Sequence, residues 1–247
     1  MPPQKIYKIG CCGYPVAKKK YYENFNCIEL NSTFYQLPKI ETAEKWRKEA
    51  KEDFEFIVKA FQVITHPATS LTYKRLKEKI KNKENCGFFK PTDEVFEAFE
   101  KTYQICKILN CNKILFQTPA SFKPTKENLN NLRKFFDTIK KEYPKNLNYI
   151  LEVRGKDWED KIIKEICGEL NLIHCVDPLN RKPVFGKFNY FRLHGEYKNE
   201  KIIYRHIYQA EELREIKNSC DKELNYVMFN NSNMFLDAIK FKDLVGI

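Results

Sequence analysis

No apolar run in this 247-residue chain approaches the roughly 18 residues that cross a bilayer. The opening MPPQKIYKIG also lacks the apolar centre of a secretory signal. These two absences set the expectation of a cytoplasmic protein with no membrane partner. Nine cysteines are present, yet none forms a C-x-x-C pair. Cys11 and Cys12 are adjacent, and four residues separate Cys106 from Cys111. That pattern matches neither a zinc module nor a secreted disulfide framework, so most of the thiols read as small buried hydrophobes in a reducing compartment. Only four histidines occur, which leaves little material for an imidazole-rich metal centre. Internal repeats, low-complexity tracts and Gly/Ser-rich linkers are missing as well, which favours one continuous domain.

What the chain does have is charge and alternation. Lys and Arg exceed Asp and Glu by 11, and the pI is near 9.1. The surplus suits anionic ligands or a polyanion such as nucleic acid. The plainer explanation is solvated, lysine-rich helix faces, since the lysines are spread along the chain. A hydrophobic content of 43% is that of a globular protein.

Strand-like segments are predicted at 5–10, 27–30, 54–60, 113–118, 148–154, 172–177, 188–195 and 225–231. Helical periodicity marks 39–50, 94–109, 126–143, 158–170, 210–220 and 232–245. Residues 178–187 are too short for a regular helix. Eight strands, most followed by a helix, predict an α/β fold, a single TIM-like (β/α)8 barrel. Residues 61–110 are exceptional, with a Pro-containing loop, a basic stretch and then a helix. They predict an insertion between strands 3 and 4, a lid over the C-terminal mouth.

The carboxyl ends of these strands carry polar groups. Glu29 and Asn31, Lys59, Gln117, Glu152 and Arg154, Asp177, Arg192 and His194, and Asn230 with Asn231 all fall there. Strand alternation separates Glu29 from Ile28 and Leu30, Lys59 from Phe56 and Val58, and Arg192 and His194 from Phe191 and Leu193. A barrel strand's outer face packs on helices and is apolar, so the charged face points inward. The pattern predicts a polar pocket at the C-terminal face. A rim of mutually paired charges would look similar.

The motifs GCCGY, ELNSTFYQLP, FIVKA followed by THP, LFQTPASF, EVR with a nearby Trp, RLHG and FNN occur in this order over nearly the whole chain. Together they resemble the YecE-like family, also described as domain of unknown function 72. The resemblance implies a TIM-like barrel and does not supply an activity. The family's opening usually reads closer to G-T-S-G-W, and its fifth-strand motif usually has His after Glu-x-Arg and Ser before Trp. Here Gly155 and Asp157 take those places.

Three chemistries fit the strand ends. In the first, Lys59, Arg154 and Arg192 hold a phosphorylated or otherwise anionic ligand. Glu29, Glu152 and His194 then supply acid–base catalysis, as in a hydrolase or isomerase. Asn31, Gln117, Asp177 and Asn230 complete the ligand-binding set. No cofactor is required. In the second, Glu29, Glu152, Asp177 and His194 bind a divalent metal, as in an AP-endonuclease-like phosphodiesterase. In the third, Lys74, Arg75, Lys77, Lys79, Lys81 and Lys83 with exposed Phe34, Tyr35 and Phe122 bind nucleic acid. Cys12 is a further candidate nucleophile.

Overall fold

The computed structural model describes residues 4–198 and 201–247. Eight parallel strands make one sheet: β1 (Ile6–Cys11), β2 (Cys27–Leu30), β3 (Glu55–Lys59), β4 (Lys113–Gln117), β5 (Asn148–Glu152), β6 (Ile173–Val176), β7 (Asn189–Leu193) and β10 (Leu224–Phe229). A hairpin of β8 (Glu196–Lys198) and β9 (Lys201–Ile203) follows β7. The neighbour order is β1-β10-β7-β6-β5-β4-β3-β2, and a single parallel bridge between Cys12 and Glu29 joins the two ends. The barrel is therefore nearly closed, with β1/β2 as its weakest seam. Each predicted strand falls on an observed one, with ends differing by at most two residues.

The helices are α1 (Lys18–Asn24), α2 (Ser32–Tyr35), α3 (Ile40–Glu49), α4 (Gln62–Thr65), α5 (Asp93–Ile108), α6 (Lys126–Glu142), α7 (Asp160–Glu169), α8 (Ala210–Ser219) and α9 (Met234–Val245). In α6 the buried Leu132, Phe135, Phe136 and Ile139 share one stripe, and the Thr125 hydroxyl accepts the Asn128 N–H at the start. In α8 the Gln209 N–H donates to Glu212, three residues on, in a capping box. Residues 178–187 form no helix, as expected. Helix α1 was not foreseen, because its sequence KKKYYEN shows only two adjacent tyrosines. One of them supports the seam: Tyr21 Oη accepts the Cys11 N–H and donates to the Cys27 carbonyl.

Two apolar layers follow from the alternation. Phe56, Val58, Ile114, Phe116, Leu151, Phe191, Leu193, Val227 and Phe229 pack outward against the helices. Cys12, Cys27, Ile57, Leu115, Ile150, Cys175, Tyr190, Tyr226 and Met228 fill the interior. Charge closes the interior at both ends, not only at the mouth. At the amino end Glu55 pairs with Lys8 at 2.7 Å and Lys113 at 2.9 Å, and accepts the Tyr226 hydroxyl at 2.6 Å. These contacts overcome burial and hold the Glu55 carboxyl down at about 2.

Of residues 61–110, the last part is α5. The part before it, α4 and the loop that follows, leans on α2: Gln62 Nε2 donates to the Tyr35 carbonyl, Arg75 lies over the Tyr35 ring, and His66 meets the Phe34 ring edge-on at 4.7 Å.

Candidate functional site

Seven of the eight carboxyl ends bring the predicted polar residues to one place. Glu29, Lys59, Glu152, Asp177, Arg192 and His194 are buried, while Asn31, Gln117, Arg154 and Asn230 are half-buried at the rim. Arg192 is the hub. Its Nε donates to Glu29 Oε2 at 2.9 Å and its Nη2 to Glu29 Oε1 at 2.8 Å, a two-pronged clasp. Its Nη1 donates to Glu152 Oε2. Nη2 also reaches Asn31 Oδ1 at 3.3 Å, and Asn31 Nδ2 donates to Asn230 Oδ1. Arg154 Nη2 pairs with Glu152 Oε1 at 2.6 Å. Although burial acts upward on Glu152, Arg154 and Arg192 hold its carboxyl well below the usual range.

His194 is fixed by the same guanidinium groups. Its Nδ1 is 2.8 Å from the Arg192 carbonyl, which can only accept, so Nδ1 carries the proton. Its Nε2 lone pair faces Arg154 Nη2 at 2.6 Å and Arg192 Nη1 at 3.2 Å. Burial, with Arg192 and Arg154 acting in the same direction against Glu152, pushes the imidazole down to about 3. This argues against the acid–base role expected of His194, since the ring is a neutral acceptor already in use. Asp177 accepts backbone N–H groups of Leu179 and His194, and burial raises its carboxyl to about 6.

Lys59 stands apart. Its Nζ donates to Gln117 Oε1 at 2.8 Å and lies 4.3 Å from the centre of the Phe34 ring. Among the described residues no carboxylate oxygen comes within 4 Å of it. Burial, then the charge of Arg192, lowers its amine to about 7 against the pull of Glu29 and Glu152. Phe34 is held there by α2, whose Thr33 hydroxyl donates to the Lys59 carbonyl at 2.7 Å.

Three expectations change. Among the described residues no group of three or more His, Cys, Asp or Glu side chains is arranged to hold a metal ion. The Arg192 guanidinium sits between Glu29 and Glu152 and donates to both, so these two carboxylates face an arginine. Phe34 and Phe122 are buried, at 3% and 0% exposure, so neither offers an open stacking face to a base. Cys12 is buried beside Glu29, and burial followed by that carboxylate pushes its thiol up, the opposite of an activated nucleophile. Sequence reasoning missed Tyr190, whose hydroxyl donates to Glu29 Oε2 at 2.9 Å. The signal was present, since Tyr190 lies two residues before Arg192 and shares its inward parity.

Residues 17–246 match the family described as "Protein of unknown function DUF72". The chain belongs to that family. Among curated DUF72-like relatives it is 31% identical over 142 residues to UPF0759 protein YunF of Bacillus subtilis, covering 56% of this chain and 42% of YunF. It is 42% identical over 50 residues to UPF0759 protein YecE of Escherichia coli, covering 20% of this chain and 18% of YecE. The matched segments thus span less than half the length of these relatives. A DUF72 family protein of Enterococcus faecalis superposes with a TM-score of 0.72 at 19% identity, covering 99% of both chains. A xylose isomerase domain containing protein of Salmonella typhimurium superposes at 0.60 with 10% identity, over 100% of this chain and 98% of that one. At these identities the structural likeness speaks to the barrel fold. Among the described residues no helix is long and apolar enough to cross a membrane.

Proposed function

We propose that this DUF72 protein binds a small anionic molecule, a phosphate ester or a carboxylate, at the C-terminal mouth and acts on it by acid–base chemistry. One observation supports the reading. Every carboxylate oxygen of Glu29, Glu152 and Asp177 is already engaged, yet two cations at the mouth keep donors to spare. Among the described residues Arg154 Nε is buried with no hydrogen-bond partner, and Lys59 donates only to a neutral amide oxygen. Buried donors without acceptors are costly, and an anion spanning Arg154 and Lys59 would satisfy both.

In this arrangement Glu29 and Glu152 serve mainly to position Arg192 and Arg154. Proton transfer falls to Lys59, whose amine near 7 takes up and releases protons at neutral pH. Gln117 and Asn31 are rim groups that orient the ligand, and residues 61–92 cover the Phe34 side of the mouth.

The test is calorimetric titration of the full chain with pyrophosphate and with oxalate. Saturable binding of either one is expected, weakened about tenfold or more by Arg154→Gln and by Lys59→Met, the loss of one charge-assisted contact. Equal affinity in the two variants and the parent protein would place any binding elsewhere and overturn the reading.

A further inference from the structure

We propose that Lys59 is a covalent catalytic residue, its amine condensing with the carbonyl carbon of a small anionic carbonyl compound whose carboxylate or phosphate rests against Arg154. The inference depends on the anionic-ligand reading above and narrows it to a substrate class.

The interior of the barrel supplies its own comparison. Three lysines point inward: Lys8 and Lys113 at the amino end, and Lys59 at the mouth. The first two, half-buried and buried, are each bound to Glu55, at 2.7 and 2.9 Å. Lys59 has instead a neutral amide oxygen and an aromatic face in contact, with Arg192 and Arg154 on one side of the balance and Glu29 and Glu152, beyond ion-pair distance, on the other. Burial and the Arg192 guanidinium disfavour the ammonium form, against the pull of Glu29 and Glu152, and leave a nucleophilic amine, the condition under which lysines attack carbonyls. A lysine kept only for its charge would be poorly placed here. The downward shift of its amine to about 7 agrees with this.

Position and surroundings suit the chemistry. Lys59 closes β3 at the face where barrel enzymes hold their reacting groups. It is 6% exposed, shielded from bulk water that would hydrolyse an adduct. With Nζ–H donated to Gln117 Oε1, the nitrogen lone pair is left for the substrate. The Phe34 face can hold the resulting cation as it holds the ammonium.

In the step itself the Nζ lone pair attacks the carbonyl carbon, forming the C–N bond, and the carbonyl oxygen takes up a proton to give a carbinolamine. That hydroxyl leaves as water after a second protonation while nitrogen keeps one hydrogen, leaving a cationic C=N bond. Amine, carbonyl compound and one proton are thus converted to iminium and water. No oxidant or reductant is consumed.

The full chain is incubated at pH 7 with pyruvate in one arm and dihydroxyacetone phosphate in the other, each with sodium cyanoborohydride, which delivers hydride to the iminium carbon. Modified sites are then mapped by peptide mass spectrometry. In at least one arm Lys59 should be labelled about tenfold or more faster than the exposed lysines, whose amines are almost wholly protonated at that pH. The adduct should be absent from a folded Lys59→Arg variant. Labelling spread over exposed lysines with none at Lys59 overturns the covalent role. If pyrophosphate or oxalate still binds through Arg154 and Lys59, the anionic-ligand reading stands alone; if neither binds, both fall.

Discussion

Arg192 reaches across the barrel from the end of β7 and clasps both oxygens of Glu29 at the end of β2, with each side chain at 1% exposure or less. Glu29 also forms, with Cys12 just past β1, the one β-bridge among the described residues that joins β2 to the β1 side. The ion pair therefore sits on the seam where the barrel closes, and it holds that seam as well as shaping the mouth.

Breaking the pair from one side should be expensive. Glu29→Gln leaves a buried guanidinium facing a neutral amide, and the expected loss is about 3–5 kcal/mol. Replacing both partners, as in Glu29→Gln with Arg192→Met, should cost less than the sum of the single changes, because the guanidinium left facing the amide is removed while Glu152 keeps Arg154. Urea denaturation of the three variants measures both quantities. A loss below about 0.5 kcal/mol for Glu29→Gln would show that the clasp contributes little.

The strand alternation that pointed to the mouth was readable because barrel strands impose a strict period of two. Ile28 against Glu29 and Phe191 against Arg192 are enough to assign inside and outside. What alternation does not carry is pairing. It could not show that Arg192 takes both carboxylates and leaves Lys59 with Gln117, since that depends on which side chains reach across the barrel. Nor did it separate mouth from base: Lys8, Glu55 and Lys113 are inward by the same rule and form a comparable network at the other end. The β8–β9 hairpin was missed because its short strands are largely exposed and lack an apolar face.

Three histidines make the fold acid-sensitive. Burial is the leading cause for each, lowering His66 and His194 to about 3 and His174 to about 4. Their unfolded value is 6.5, so between that pH and the folded values the unfolded chain binds more protons, and stability falls as pH falls. Unfolding near pH 5 should be accompanied by uptake of close to three protons by these imidazoles, seen as the slope of stability against pH. Nitrogen chemical shifts of His194 should report a proton on Nδ1 and stay constant from pH 7 to 5. A His194 signal that titrates near 6.5 would contradict the hydrogen-bond assignment.

Lys59 and Asp177 should leave opposite marks on the same profile. The Lys59 amine is lowered from 10.5 to about 7, so between those values the unfolded state holds the extra proton and stability rises with pH. Asp177 is raised from 3.8 to about 6; its contribution is full below 3.8 and is lost as pH rises through 6. Lys59→Met should therefore flatten the alkaline limb and stabilise the protein at pH 6, while Asp177→Asn should alter only the acidic limb. Alkaline limbs that run parallel in Lys59→Met and the parent protein would mean that the lysine is not held near 7.

Gly10 tests the seam without touching a charge. It faces into the barrel on β1, opposite Met228 in register, and a Cβ there would lie 2.5 Å from the Cys27 carbonyl oxygen and 3.1 Å from Cys27 Sγ and Met228 Cε. The carbonyl belongs to β2 backbone and already accepts the Tyr21 hydroxyl, so it cannot yield without moving β2 from β1. Gly10→Ala should cost about 1–3 kcal/mol, and it should also weaken oxalate or pyrophosphate binding, because the displaced strand carries Glu29. Gly13, three residues on, has a φ of +111° but open space around its Cβ position. Gly13→Ala pays only the backbone term, of order 1–3 kcal/mol, and should leave anion binding unchanged. Stability and calorimetric titration of the two variants separate the effects. If Gly10→Ala loses stability but keeps full affinity, the seam and the mouth are independent, and the coupling through Glu29 is refuted.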